Sequence, residues 1–149
     1  MPKEMYYVLA LLAGTAVAVQ TGANAQLRLI VHSPIITACI SFLVGTTVLL
    51  LYVLIANRQY IPEFSVVSQI SWWKWIGGIM GVIYITTVVV VAPKIGAANT
   101  LGFIVAGQLI SAVLFDHFGW IGFDVRPISL WRILGVIFLI LGVFLLRKQ

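Results

Sequence analysis

Five long apolar runs joined by short polar connections predict an all-α integral membrane protein of five transmembrane helices. Two further observations support that class. The chain is 62% hydrophobic and only 9% charged, against the roughly one quarter of charged residues usual in soluble domains. Its apolar runs are also unbroken rather than alternating with a period of two, which excludes a closed barrel and leaves helices to satisfy the backbone in lipid.

The first span is expected over about residues 5–25. Its lysine, apolar stretch and Ala23-Asn24-Ala25 mimic a secretory signal. Four further apolar segments follow, however, and the stretch reads as a span. The second covers about 34–56 and begins at Pro34, where proline suits the first helical turn. The third covers about 73–92, and Pro93 with Gly96 is expected to break it from the fourth, about 97–118. The fifth covers about 129–146. The longest connections, "NRQYIPEFSVVSQIS" and "GWIGFDVRPI", are too short for a soluble domain, so residues 1–149 are expected to form one five-helix transmembrane domain. Trp72, Trp73 and Trp75 beside Lys74, and Trp131 beside Arg132, read as interfacial anchors.

Nine basic residues give a net charge of +5, but they are scattered between apolar runs. That pattern argues against a nucleic-acid footprint. With five spans the termini lie on opposite faces. One face carries Lys3, Arg58, Lys74, Arg126 and Arg132, and the other Arg28, Lys94, Arg147 and Lys148. Five against four nearly abolishes the positive-inside bias that orients a membrane protein. Insertion in both orientations, and an antiparallel homodimer of ten spans, follow as expectations. A partner chain that fixes the orientation is the alternative. The single cysteine, Cys39, excludes an internal disulfide and a cysteine-based metal site, and no metal or cofactor is expected.

Small residues recur at four-residue spacing in Gly14, Ala18 and Gly22, in Thr37, Ser41 and Gly45, and in Gly77 and Gly81. Such stripes allow helix backbones to approach closely. Inside the spans the polar residues are few. Gln20 and Asn24 stand one turn apart on the first span, Tyr84 with Thr86 and Thr87 gives the third a polar side, and Asn99 and Gln108 lie on the fourth. An amide in hydrocarbon needs a partner or a wet cavity. These residues either knit helices together or line a cavity for a small organic solute, with Gln20, Asn24, Tyr84, Asn99 and Gln108 as the cavity candidates. No charged side chain falls near the middle of a span, so no buried carboxylate is placed to trade protons for a cation there.

Asp116 and His117 end the fourth span. Asp116 could pair with Arg126 or Arg132 across the short connection, and His117 could bond a carbonyl left free at the helix end. The functional alternative makes the two a proton or gating site at a cavity mouth. Arg28 and His32 are expected on the connection between the first two spans. An antiparallel partner would bring its own copies of them to the face that carries Asp116.

The stretches "VQTGANAQLRLIVHSPIITACISFLVGTTVLLL", "WWKWIGGIMGVIYITTVVVVAPKIGAAN", "AGQLISAVLFDHFGW" and "RILGVIFLILGVFLLRK" resemble the YdcZ-type family of the drug/metabolite transporter superfamily. The likeness covers nearly the whole chain, and the Gly107-Gln108 pair followed by Asp116-His117-Phe118-Gly119 is its most specific part. It implies a five-helix unit acting as an antiparallel homodimer or beside a paired sister chain. It also implies an exporter in the inner membrane of a prokaryote, with lipid and a small-molecule substrate as partners. Unlike the four-helix multidrug exporters of that superfamily, the chain has no acid in the middle of its first span. A carrier is therefore the leading reading, and a non-transporting scaffold or partner subunit of another complex is the alternative. An enzyme is not expected, because one Asp-His pair without a nucleophile, metal ligands or second acid is too little for catalysis.

Overall fold

The computed structural model describes residues 2–147 and is helical wherever it is regular, with no strand among the described residues. Lys148, counted above on one face, lies outside them. Six α-helices follow in order: α1 Lys3–Val31, α2 Pro34–Ala56, the short α3 Phe64–Ser68, α4 Ile76–Ile95, α5 Ala97–Phe118 and α6 Leu130–Leu146. Four of the segments are long and apolar enough to cross a membrane, the third being Trp72–Ile95 with its leading tryptophan-rich turn; the 17-residue α6 is shorter. At about 1.5 Å per residue α6 still measures ~25 Å, near the lower limit for a span.

α1 runs past the expected end at Ala25 and contains Arg28 in its last turn, so Arg28 lies on the helix and not on the connection. Backbone bonding carries the helix through these polar residues. Arg28 at the carboxyl end and Glu4 in the first turn both complement the helix dipole. His32 then closes the helix in the left-handed region (φ 58°), its N–H donating to the Arg28 carbonyl at 2.8 Å. Two residues later α2 starts. Ser33 caps it by accepting the Ile36 N–H at 3.4 Å, and Pro34 occupies a first-turn position whose missing N–H costs nothing.

Pro93 does not end the third span. It lies inside α4, which continues to Ile95, and the break is made by Gly96 at φ 84°. Glycine alone takes that backbone shape without a steric penalty.

The chain divides into two compact units, residues 1–93 and 94–149, the boundary falling in the last turn of α4. In the first, Ala38 of α2 packs on Ile85 and Val89 of α4, flanked by Phe42 and Tyr84. A Cβ on Gly81 would stand 3.3 Å from the Phe42 ring, so this glycine sets how closely that ring approaches. In the second, α5 lies along α6, with Gly102 against Val143 (3.1 Å from an added Cβ) and Phe103 edge-on to Phe144 at 6.2 Å. Of the small-residue stripes, Thr37 and Gly81 serve packing inside the first unit. Gly14, Gly22, Gly45 and Gly77 face open space.

Large apolar side chains such as Leu11, Ile55 and Trp131 are mostly exposed, Ile55 and Trp131 by more than 80%. In water that surface would drive aggregation, whereas in a bilayer it is the surface that meets lipid.

Candidate functional site

In the first unit the inward side of α1 is polar. Thr21 and Asn24 are buried and Arg28 is half-buried, spaced three and four residues apart on one face. The Asn24 side-chain oxygen accepts a hydrogen bond from the Ser41 hydroxyl of α2. Asn24 therefore joins two helices, as an amide buried among apolar residues must find a partner. Gln20, one turn earlier, is exposed. Tyr84 is half-buried beside the α2–α4 core.

Sequence reasoning placed Arg28 on a connection and missed its tie to α4. Its Nη1 donates to the carbonyl of Val89 on α4 at 2.7 Å and to that of Val90 at 3.4 Å. The Val89 carbonyl would ordinarily accept the N–H four residues on, but that residue is Pro93, which has none. Arg28 thus satisfies a carbonyl that proline leaves orphaned. The signal was available in principle, as a proline inside an apolar run and an unpaired cation elsewhere, but nothing local links the two.

Between α2 and α4 runs an open groove of about 660 Å³. Its walls are mostly apolar, including Cys39, Phe42 and Val82, with Thr46, Thr86 and Thr87 as the polar members. None of Gln20, Asn24, Tyr84, Asn99 and Gln108 lines it.

In the second unit Asn99 donates its side-chain N–H to the Ile95 carbonyl at 2.9 Å, bridging the Gly96 break. Its side-chain oxygen is buried without a partner among the described residues. Gln108, on the same helix, is exposed.

Asp116 and His117 pin the α5–α6 connection to the end of α5. The Asp116 carboxylate pairs with Arg132 at 3.3 Å, and its backbone carbonyl accepts the Arg126 N–H at 2.7 Å. Arg132 in turn donates to the Arg126 carbonyl at 3.2 Å. His117 accepts the backbone N–H of Ile128 on Nδ1 at 3.2 Å. An accepting Nδ1 requires the tautomer with its proton on Nε2. Gly119 makes the turn in the left-handed region (φ 65°), where an added Cβ would meet Val125 at 2.8 Å. No group of three His, Cys, Asp or Glu able to hold a metal occurs among the described residues.

Residues 5–145 match the family described as "Putative inner membrane exporter, YdcZ". The chain belongs to the YdcZ family. It is also 27% identical to the inner membrane protein YdcZ of Escherichia coli (strain K12) over 138 residues, 92% of this chain and 91% of that one. No solved structure matches it. YdcZ membership agrees with the resemblance seen in the sequence. The family's description supports an inner-membrane transporter, a class for which spans, lipid-facing surfaces and polar groups between helices are the parts to interpret.

Proposed function

We propose that the chain is one half of an antiparallel homodimeric carrier that exports a small organic solute by alternating access, its five spans acting as one transmembrane domain. The observation that carries this reading beyond family membership is the even division of basic residues, five against four, between the two faces. Two oppositely inserted copies supply the inverted repeats that larger transporters hold in one chain. The open faces of Gly14 and Gly22 on α1 suit close approach by a second copy. Gln20 and Gln108, exposed in their own units, are amides that a wet path between copies would accommodate. Asn24, Tyr84 and Asn99 complete the proposed polar lining. Asp116 and His117 would act at the mouth of that path, as a gate that opens when their strap loosens.

One observation favours a second reading, a non-transporting membrane scaffold. Asn24 is consumed by Ser41 and binds helices to each other, which is what amides do in a purely structural bundle.

Topology tests the carrier first. In a Cys39→Ala background, Ser65→Cys places one thiol on exposed α3 near Glu63. Labelling by an impermeant maleimide in intact and in permeabilised cells counts the two orientations. Comparable accessible and protected fractions support the antiparallel homodimer. A single orientation removes it and directs attention to an oppositely inserted sister chain.

A further inference from the structure

Among the described residues Arg28 is a half-buried cation without a counter-ion. Of the four acids in the chain, Glu4 and Glu63 belong to its unit. Glu4 stands 24 residues earlier on the same helix, about 36 Å away at 1.5 Å per residue. Glu63 follows the far end of α2, a helix of 23 residues and thus ~34 Å long. Of the other two, Asp116 already holds Arg132, and Asp124 makes no ion pair with Arg28 among the described residues. Among the described residues the Arg28 guanidinium donates only to carbonyl oxygens, through Nη1 alone, and the side chain is half-buried and not fully enclosed. A guanidinium offers five donors in a planar fork, and two parallel donors of that fork match a carboxylate or phosphate. Holding a charge at the edge of the membrane is costly unless something offsets it. Carbonyl dipoles orient this one but do not neutralise it.

We infer that Arg28 is the recognition residue for an acidic group on the transported solute, an organic monocarboxylate being the simplest solute that fits. This rests on the carrier reading and names its substrate class. The edge of the guanidinium that Nη1 leaves free is the part that would take the carboxylate. Because Nη1 is committed to Val89, the fork is held in one orientation before the solute arrives, which reduces the entropy lost on binding. Gln20 and Asn24 lie two turns and one turn earlier on α1 and continue that polar line away from the helix end.

The test is equilibrium binding by the full chain in phosphatidylcholine nanodiscs, with cyclohexanecarboxylate as probe and cyclohexanecarboxamide as its uncharged match. Five tryptophans report thermal unfolding. The expected result is a concentration-dependent rise in the midpoint with the acid alone. Arg28→Lys keeps a weakened response, and Arg28→Gln binds at least about tenfold more weakly. Should Arg28→Gln fold poorly, Arg28→Gln combined with Pro93→Ala restores an N–H for Val89 and keeps the comparison open. Equal responses to acid and amide, no response to either, or an acid response unchanged without Arg28 would overturn the inference. A response confined to phosphatidylglycerol in the disc would overturn it too, assigning Arg28 to a lipid phosphate. No flux is measured, so loss of the carrier reading in a transport assay remains a separate result.

Discussion

Arg28 of α1 donates to the Val89 carbonyl of α4 at 2.7 Å, the carbonyl that Pro93 leaves without its helical N–H. The cation does for the helix what the backbone cannot, and α4 continues past its proline to Ile95. The two substitutions should therefore be strongly non-additive. Arg28→Gln in the native background is expected to cost about 1–3 kcal/mol, the range for losing a charged hydrogen bond and leaving a buried acceptor unpaired. In a Pro93→Ala background the same change should cost much less. A double-mutant cycle of unfolding in micelles measures the difference, and simple additivity would dissociate Arg28 from the proline.

Asp116 and Arg132 form an ion pair with both side chains about 30% exposed, at 30% and 27%. Screening by solvent keeps its expected coupling energy small, about 0.2–1 kcal/mol. Asp116→Asn and Arg132→Gln, singly and together, should yield that coupling at low salt and lose most of it in molar salt. A coupling that salt leaves intact would mean the pair is shielded by a second chain.

His117 accepts the Ile128 N–H on Nδ1 at 3.2 Å. Beside it stand Asp116 and Arg132, already paired, and the Arg126 backbone. Together these contacts hold the strap between α5 and α6 against the end of α5. Hydrogen exchange at the Ile128 amide should therefore be slower in the native chain than in His117→Phe, where the acceptor is gone. Equal exchange in the two would remove His117 from the strap.

How much of this was legible depended on where each group's partner lies. α2 was predicted over 34–56 and is observed there, because Pro34 and Ser33 mark its start locally. α1 was cut short at Ala25 because Gln26 and Arg28 look like a connection. Backbone bonding continues regardless of side-chain polarity, and the true stop is the left-handed His32. Pro93 reads as a breaker because its compensating donor is 61 residues from Val89. Likewise an aspartate and an arginine sixteen residues apart announce a pairing, whereas the His117 partner is a backbone N–H with no mark in the sequence. The α2–α4 groove escaped notice because apolar side chains in a span look the same whether they face lipid or a hollow.

Gly119 and Ile121 sit in the same turn with positive φ, at 65° and 59°. Only the glycine is suited to it. Gly119→Ala should lose about 1–2 kcal/mol from the left-handed backbone alone, with further loss from the methyl group meeting Val125. Ile121→Gly, by contrast, relieves a β-branched residue in a strained conformation and should gain up to about 1 kcal/mol. Midpoints of thermal unfolding for the two variants should move in opposite directions, and a stabilised Gly119→Ala would rule out this turn geometry.

Three of the amides on α1 and α5, Gln20, Asn24 and Gln108, separate the carrier from the scaffold, because the structure gives them different surroundings. Asn24 is buried and bonded to Ser41 across α1 and α2, so Asn24→Ala should weaken the first unit by about 1 kcal/mol, as interhelical hydrogen bonds in membranes do. Gln20 and Gln108 are exposed, and Gln20→Ala or Gln108→Ala should leave unfolding and cross-linked dimer yield near the native values. In a carrier these two variants lose solute binding or flux at native abundance. In a scaffold they lose assembly, or nothing. Comparing dimer yield with solute efflux in the same membranes therefore assigns the amides, since a residue that holds helices together must move the first quantity before the second.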